Sequence, residues 1–552
     1  MSAPIDHNMS TDEKDILCEI EATVTTGFEP TAMEEAVEKL NAEVTVSRGR
    51  IVLKVPISKV KKVLELGCVD NCYVLMTKVS DFKFSEDELE SMARLRELVK
   101  SVDWETGLRA WREVFTFKQP INSKPDIIPD VLGEPQLSSR IHKPKKGDNG
   151  GKKSKRQKMK ERMEKKKEER KKFEESKISS DNNVVDKDSV TMVTGLEDIK
   201  NLDKTSQRLV NYKEVETVEK KIEDNLQDAQ TAEDAKQVLN TEPVSKKPKL
   251  TEYSPDKPAF RVTCHRTGLN HSFDSMGAQS NFGGAVYNYF KWNVSMKEFD
   301  IEVMLYIDSN DVRVGLALTR QSLHRRHTIA FGPTTLRPTI AYNMLRMCKI
   351  QPGEIICDPM CGSGVIPIQA ALYWPEGTYL AGEIVKRAID RTVENVEYVN
   401  KLQAEKEKPD IKVQTIKWDA SNLPLQDESV TVFITDLPFG VRLGSKKENS
   451  SLYPKVLHEM SRVTKLKSGR VCLLTQDKKG INKAMQLVSK YWKRTNAVGI
   501  NMGGLAACVY MMYRNSEVFD KSQPLVIPSF DETSPSKNYK KLQTLREEKE
   551  LS

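Results

Sequence analysis

Residues 357–364 read CDPMCGSG and residues 435–440 read TDLPFG. The first segment leaves the apolar strand-like EIICDP and enters the helix-like VIPIQAALYW. A glycine turn in that position exposes bare backbone and helix-end N–H groups to a ligand. Three occupants are open at this point: a nucleotide-like ligand, a zinc ion on Cys357 and Cys361, or nothing in a plain turn. Zinc is disfavoured, since both CxxxC pairs of the chain, Cys68 with Cys72 and Cys357 with Cys361, lack a nearby ligand histidine, and no CxxC pair occurs. The dinucleotide fingerprint GxGxxG is incomplete as well, because Pro367 follows Gly362 and Gly364 at the third position.

Acids at the ends of later strands narrow the choice. Glu383 ends TYLAGEI, where a carboxylate can accept from ribose hydroxyls. Asp419 ends IKVQTIKWDA, placed to accept from an adenine amine, and Asp436 ends VTVFITD. One such acid is as readily a helix cap. Four of them, counting Asp358, are hard to assign to capping.

After Asp436 come Leu437, Pro438 and Phe439. A proline-fixed turn behind a buried strand can hold the carboxylate and a neighbouring carbonyl of Leu437 or Pro438 against one planar amine, with the Phe439 ring as a stacking surface. An exocyclic amine is a poor nucleophile because its lone pair is delocalised. Acceptors that bind its protons localise that pair, which assists by orientation and electrostatics without covalent catalysis.

These acids can converge only if the strands lie parallel. From Gly332 to about Arg514 strands and helices alternate: EIICDP, VIPIQAALYW, TYLAGEI, KRAIDRTVENVEYV, IKVQTIKWD, VTVFITD, LYPKVLHEMSRVT, RVCLLTQ, KGINKAMQLVSKYW and AACVYMMYR. That order predicts a mostly parallel sheet with helices on both faces and ligands at the carboxyl ends of its strands.

Upstream, residues 17–79 read strand, helix, hairpin about Arg48-Gly49, helix, strand, which is a ferredoxin-like βαββαβ unit. Two helices follow near residues 85–115. From Gln119 to Lys257 the chain is rich in lysine, proline and polar residues and poor in aromatics, so disorder is expected there. The net charge of +8 is local: Ile141 to Phe173 carries 16 Lys/Arg against 5 Asp/Glu, a net of +11, and the remainder is −3. Nucleic-acid contact and a solvated spacer are both open for that run. Order returns with the strand AFRVTCHRTG, a helix containing AQSNFGGAVYNYFKW and a hairpin about Ser309-Asn310; within that helix Trp292 is expected in the core.

The chain of 552 residues implies several domains. Charged residues at 30% dilute the apolar share to 38%, no apolar run is long enough to span a membrane, and the nine cysteines are scattered. A soluble intracellular protein with reduced thiols is expected, cytoplasmic or also nuclear, with no membrane association.

CDPMCGSG with TDLPFG resembles the S-adenosylmethionine-dependent amino-methyltransferases, whose usual site sequence is Asp or Asn, Pro, Pro, then Tyr or Phe; Leu437 stands here for the first proline. Further upstream, RVTCHRTG, FGGAVYNYF, IDSNDVRVGLALTRQSLHRRHT and GPTTLRPTIAYNML look like a THUMP RNA-binding domain joined to its catalytic domain, and EIEATVTTGFEP with DNCYVL looks like the ferredoxin-like domain before it. The set is similar to the THUMP-containing tRNA guanine-N2 methyltransferases.

The resemblance implies an α/β chain with a Rossmann-like S-adenosylmethionine-dependent methyltransferase domain at 331–515, preceded by a ferredoxin-like domain at 16–82 and a THUMP domain at 83–330. The THUMP domain would be interrupted by a disordered basic insertion at 119–257, and a disordered tail would occupy 516–552. Asp358, Cys361, Gly362 and Gly364 would lie along the methionine part of S-adenosyl-L-methionine, Glu383 at the ribose, Asp419 and Ala420 at the adenine, and Asp436, Leu437, Pro438 and Phe439 at the target guanine. The implied reaction is methylation of guanosine N2 in tRNA, including position 6 of the acceptor stem. THUMP would engage the 3′ CCA end, and a small zinc-binding activator subunit would complete a heterodimer.

Two alternatives remain at this level. One keeps the cofactor and changes the acceptor to adenine N6 or a glutamine side chain, and the other is a non-catalytic RNA-binding protein. Asp436, where adenine and glutamine enzymes commonly carry Asn, favours guanine. Arg320, His324, Arg325 and Arg326, beside His327, suit phosphate contact by charge and reach.

Overall fold

A computed structural model of the chain describes residues 16–125, 253–268, 271–440 and 445–527. The expected basic insertion, apart from its ends at 119–125 and 253–257, lies outside the described residues, as does the tail beyond 527.

Strand β1 (Leu17–Val24), helix α1 (Glu29–Leu40), strands β2 (Glu43–Ser47) and β3 (Arg50–Pro56), helix α2 (Val60–Val63) and strand β4 (Val69–Val79) form the βαββαβ unit. Ile20 in β1 lies opposite Leu53 of β3 and Val74 of β4, which makes one apolar row across the centre of the sheet. The unit does not close there. After helices α3 (Glu88–Glu97) and α4 (Trp104–Val114) come β5 (Ala259–Thr267), α5 (Ser275–Phe290), β6 (Asn293–Val294), β7 (Ile301–Asp308) and β8 (Asp311–Ala317). Antiparallel pairing of β8 with β4 joins everything into one eight-stranded sheet ordered β2-β3-β1-β4-β8-β7-β5-β6. Segments on either side of residue 82, and on either side of the insertion, therefore share a sheet. Trp292 is buried, its ring stacked 4.1 Å from that of Phe290.

The second sheet contains α6 (Pro338–Met347), β9 (Ile355–Asp358), α7 (Val365–Tyr373), β10 (Thr378–Glu383), α8 (Lys386–Ala404), β11 (Val413–Lys417), β12 (Val432–Asp436), α9 (Lys446–Val463), β13 (Arg470–Thr475), α10 (Lys478–Leu487), β14 (Trp492–Asn501) and β15 (Ala506–Arg514). Its order is β11-β10-β9-β12-β13-β15-β14. The first five strands run parallel, and β15 is antiparallel to both neighbours. Sequence periodicity carries the last helix through Trp492, but α10 ends at Leu487 and Trp492 opens β14. As an edge strand β14 buries only Trp492 and Ile500, so it has no apolar alternation to read.

Helix α6 and the β14 edge join the two sheets. Glu35, fully buried in α1, accepts from the Gly67 and Cys68 N–H groups at 2.8 and 2.9 Å and from Lys39 Nζ at 2.8 Å. Lys39 also donates to the Tyr342 hydroxyl at 2.9 Å, and the Tyr342 ring packs so closely on Gly67 that an added Cβ would lie 2.4 Å from it. The Thr339 hydroxyl donates to Asp70 at 2.6 Å. A Cβ on Gly27 would lie 2.2 Å from the Gly499 carbonyl oxygen, where Thr26 and Asn501 form a backbone bridge. These contacts fix the N-terminal sheet to the domain that holds the candidate site.

Candidate active site

Strand β9 is flanked by β10 and β12, and the chain leaves it in opposite directions toward the two edges. Such a reversal opens a crevice at the strands' carboxyl ends. Phe433 pairs with Cys357 and Ala381 with Asp358, so Asp436 on β12 and Glu383 on β10 each reach two residues beyond the level of Asp358, on its two neighbouring strands.

The loop after β9 owes its shape to two left-handed residues, Gly362 (φ 57°) and Gly364 (φ 79°). A Cβ on Gly364 would lie 2.4 Å from Thr392, whereas one on Gly362 would meet nothing within 4 Å. The bare Gly362 backbone thus borders open space, a cradle that a side chain would fill. Its N–H donates to Glu383 Oε2 at 3.1 Å, and Glu383 Oε1 accepts from the Ile384 and Val385 N–H groups. The Cys361 N–H donates to the Gly382 carbonyl at 2.8 Å, and the Thr392 hydroxyl donates to the Gly362 carbonyl at 3.1 Å. Burial, then the neighbouring Asp358 charge, pushes the Cys361 thiol well up, so it is held as a neutral thiol.

Asp358 is buried and accepts from the Met360 N–H at 3.1 Å. Burial, with the Glu383 charge adding to it, pushes its carboxyl up to about 7. Asp419 lies two residues past β11, exposed, with Oδ1 accepting from the Ser421 N–H and hydroxyl, both at 2.8 Å; Ala420 beside it is buried.

Sequence reasoning passed over several residues that build this pocket. Trp418 packs on Gly382 so tightly that a Cβ there would fall 1.7 Å from the ring, and its indole N–H donates to the Pro359 carbonyl at 3.1 Å. Ile384 and Val385, 59% and 55% exposed, present apolar surface next to Glu383, suited to the flat face of a base. Asn395 accepts from the Ile329 and Ala330 N–H groups and donates to the Ser363 carbonyl at 2.9 Å, tying the interdomain segment to the glycine loop. The exposed Ile–Val pair was open to reading; the Trp418 and Asn395 contacts cross about 30 residues or more and leave no local signal.

At the end of β12 the Asp436 carboxyl is buried enough that Oδ1 is shielded from solvent, with no hydrogen-bond partner among the described residues. Burial, and then the Asp358 charge, pushes this carboxyl well above the usual carboxylate range. An unpaired buried acceptor costs about 1–3 kcal/mol, and its presence marks a place for a donor brought by a ligand. The Leu437 N–H continues the strand pairing by donating to the Leu474 carbonyl at 2.9 Å. The Pro438 carbonyl turns inward and accepts from the Tyr453 hydroxyl at 2.5 Å and from Asn449 Nδ2 at 2.9 Å. Both acceptor positions of the Pro438 carbonyl are thereby engaged. Phe439 is half-buried behind it, and Gly440 (φ 69°) turns the chain where a Cβ would lie 2.7 Å from the Lys446 nitrogen.

The basic cluster divides. Arg320 lies over the Phe115 ring, 5.0 Å from its centroid, and donates to the Phe299 carbonyl at 3.1 Å. His324 pairs with the Ser322 hydroxyl at 2.6 Å, and burial holds its imidazole below its usual value. Arg325 is exposed. Arg326 turns inward to the Leu66 and Gly67 carbonyls at 2.7 and 2.8 Å, and His327 packs near Gln369 Nε2 at 3.2 Å.

Residues 325–507 match the family described as RMKL-like, methyltransferase domain. The chain is 37% identical over 509 residues to the bovine (Bos taurus) tRNA (guanine(6)-N(2))-methyltransferase THUMP3, a match covering 91% of this chain and 89% of that protein. It is 36% identical over 519 residues to the human (Homo sapiens) protein of the same name, with 92% and 90% covered. Among solved structures, TrmN from Thermus thermophilus superposes with a TM-score of 0.53 at 16% identity, over 90% of this chain and 99% of that one, a likeness of fold. With identity of this level along nearly the whole length of both chains, the protein belongs to the THUMP3 family of tRNA (guanine(6)-N(2))-methyltransferases.

Proposed function

We propose that this chain methylates guanosine N2 in tRNA, at position 6 of the acceptor stem among its targets, as the catalytic subunit of a heterodimer with a small zinc-binding activator. The enzyme is an S-adenosylmethionine-dependent guanine-N2 methyltransferase. The observation that carries the site assignment is the shielded Oδ1 of Asp436, without a partner among the described residues, beside Leu437 at the strand end that borders the glycine loop.

The residues present fit the cofactor. Gly362 leaves an open backbone cradle, Glu383 is fixed as an acceptor, Ile384 and Val385 offer an apolar face, and Asp358, Cys361, Gly364, Asp419 and Ala420 complete the pocket. When bound, S-adenosylmethionine supplies an electrophilic methyl group on its sulfonium. The protein's own part is to present the amine. Asp436 and the Leu437 carbonyl accept from the two N2 protons, which orients the nitrogen lone pair into the crevice and localises it. Donors brought by guanine lower the Asp436 carboxyl from the elevated value that burial gives it, so binding guanine favours the ionised acceptor. The nitrogen loses one proton on methylation, and this carboxylate is the base within reach. Phe439 supplies a ring edge or face for the flipped base.

In this reading the 3′ CCA end of the tRNA is held by the N-terminal sheet module, with Arg320, His324 and Arg325 at the phosphates; the fixed contacts between Glu35, Lys39 and Tyr342 support a constant distance from that module to Asp436. The compartment assigned is the cytoplasm, with the nucleus also open to it; nine free cysteines accord with a reducing environment. The test is nucleoside mass spectrometry of tRNA incubated with methyl-labelled S-adenosylmethionine and the protein, with and without the activator. N2-methylguanosine at position 6, formed only with the activator, is expected. Label in N6-methyladenosine or in protein refutes the guanine assignment, and full activity without the activator refutes the obligate partner.

A further inference from the structure

The Pro438 carbonyl is the most heavily bound backbone acceptor of the site, and what binds it comes from α9 and the β13–α10 junction. Tyr453 and Asn449 lie one helical turn apart on α9, fully buried, and both donate to that single oxygen at 2.5 and 2.9 Å. The same Asn449 amide contacts the Tyr453 hydroxyl at 3.2 Å and Asp477 Oδ2 at 3.4 Å. The Tyr453 hydroxyl also pairs with the Thr475 hydroxyl at 2.8 Å; the Asp477 backbone N–H donates to that Thr475 hydroxyl, and Asp477 Oδ1 accepts from the Gly480 N–H, both at 3.0 Å. Asn449, Tyr453, Thr475 and Asp477 thus form a closed polar network beneath the turn, inside an otherwise apolar cluster.

A network of this kind in a core is costly unless it is fully satisfied, and apolar residues would pack the same volume at no polar penalty. Here its output is a direction. With Pro438's carbonyl drawn inward, and φ of Pro438 fixed by its ring, the peptide plane between Leu437 and Pro438 is set, and with it the heading of the Leu437 carbonyl. We propose that Tyr453 and Asn449 are positioning residues for methyl transfer: by occupying both acceptor positions of the Pro438 carbonyl they leave the Leu437 carbonyl and the Asp436 carboxylate, among the described residues, as the pair that faces the amine. The inference rests on the assignment of this turn as the amine site. It adds the device that chooses between two adjacent carbonyls, a choice that the order Asp436, Leu437, Pro438, Phe439 leaves open. A displacement of one reacting group by about 1 Å can slow a reaction on the order of 100-fold, which sets the scale of the effect.

The full-length protein, with the activator present in every arm, is assayed for single-turnover methylation of tRNA under saturating cofactor, alongside calorimetric affinity for S-adenosylhomocysteine, RNA affinity and Tm. The variants are Tyr453→Phe, which removes one hydroxyl, and Asn449→Asp, which replaces the amide donor by an acceptor. Ser461→Ala is the control: it removes a hydrogen bond from the other end of α9, where the Ser461 hydroxyl accepts from the Trp492 indole at 2.6 Å. Tyr453→Phe is expected to slow the single-turnover rate about 10- to 100-fold with both affinities within about twofold of wild type, and Asn449→Asp more. Ser461→Ala is expected to lower Tm with an unchanged rate.

A wild-type rate in Tyr453→Phe overturns the proposal. So does a rate in Ser461→Ala that falls in step with its Tm, because the network would then act only through stability. Methyl label appearing on an amine other than guanine N2 refutes the substrate assignment separately, since the ratio of variant to wild-type rate is read on whichever amine is labelled.

Discussion

Replacing Asp436 by Asn separates two consequences of one buried carboxyl. The side chain keeps its size, but it loses its charge and gains an amide NH2 that donates where only acceptors are wanted. Charge-assisted hydrogen bonds are worth about 1.5–3 kcal/mol, so losing the ionised acceptor is expected to slow methylation by roughly 10- to 150-fold. Asp436→Ala, which removes the acceptor outright, is expected to reach about 100- to 1,000-fold. Cofactor affinity should persist in both, because Gly362 and Glu383 hold their positions through contacts that do not include Asp436.

Stability moves the other way. In the folded chain, burial and the Asp358 charge raise the Asp436 carboxyl above its unfolded value, so in the window between the two values the folded state holds a proton that the unfolded state has released. The sign follows: wild-type stability falls as pH rises through that window, by up to about 1.4 kcal/mol per pH unit, and Asp436→Asn lacks the slope. Thermal unfolding of the two proteins between pH 4 and pH 8 is expected to show the variant gaining on wild type as pH rises. For a domain of this size each kcal/mol is about 2–4 °C in Tm. An Asn variant that loses ground with rising pH, or one that methylates at the wild-type rate, would refute the reasoning.

Gly382→Ala drives a methyl group to within 1.7 Å of the Trp418 ring, and overpacking of that kind is expected to cost about 1–3 kcal/mol or more and to weaken S-adenosylhomocysteine binding in calorimetry. His327, pushed down to about 4 chiefly by burial, binds its proton more weakly in the folded state; its contribution is complete above about pH 6.5 and declines as pH falls toward 4. At most roughly 3 kcal/mol is involved, and His327→Gln should flatten the acid limb of a Tm profile. Arg325 and Arg326 should part company. Arg325→Ala is expected to weaken tRNA binding and reduce its salt slope by about one contact with Tm unchanged, whereas Arg326→Ala strips the Leu66 and Gly67 carbonyls of their donor and should cost about 2 kcal/mol of stability, seen as a lower Tm. Equal effects of the two changes on Tm and on RNA affinity would contradict the inward placement of Arg326.

Local chemistry made the catalytic half of the protein legible before any coordinates. Strands that are buried on both faces read as short apolar runs, and glycines that must be left-handed stand out at Gly362 and Gly364, so β9, the loop and α7 were readable from residues 355–373 alone. Acids at successive strand ends pointed to one edge of the sheet, and the strand order brings three of them together there. The readings missed were those whose cause lies elsewhere in the chain. Strand β14 exists because β15 pairs with it, not because its own residues alternate. Arg326 and Arg325 are neighbours of the same charge, and only the position of the Leu66 and Gly67 carbonyls turns one inward.

The sequence by itself determined that Asp436 ends a buried strand, that a proline-fixed turn follows, and that a ring comes next, because strand burial, proline φ and side-chain type are all properties of the local chain. Tertiary structure alone decided which acids meet and which carbonyl faces out. Asp358, Glu383 and Asp436 converge because the order β10-β9-β12 puts three separate segments side by side, and Pro438's carbonyl is turned inward by Tyr453 and Asn449 on a helix that begins after the turn has ended. Hydrogen-bond direction depends on where partners arrive in space, and no spacing along one chain encodes it.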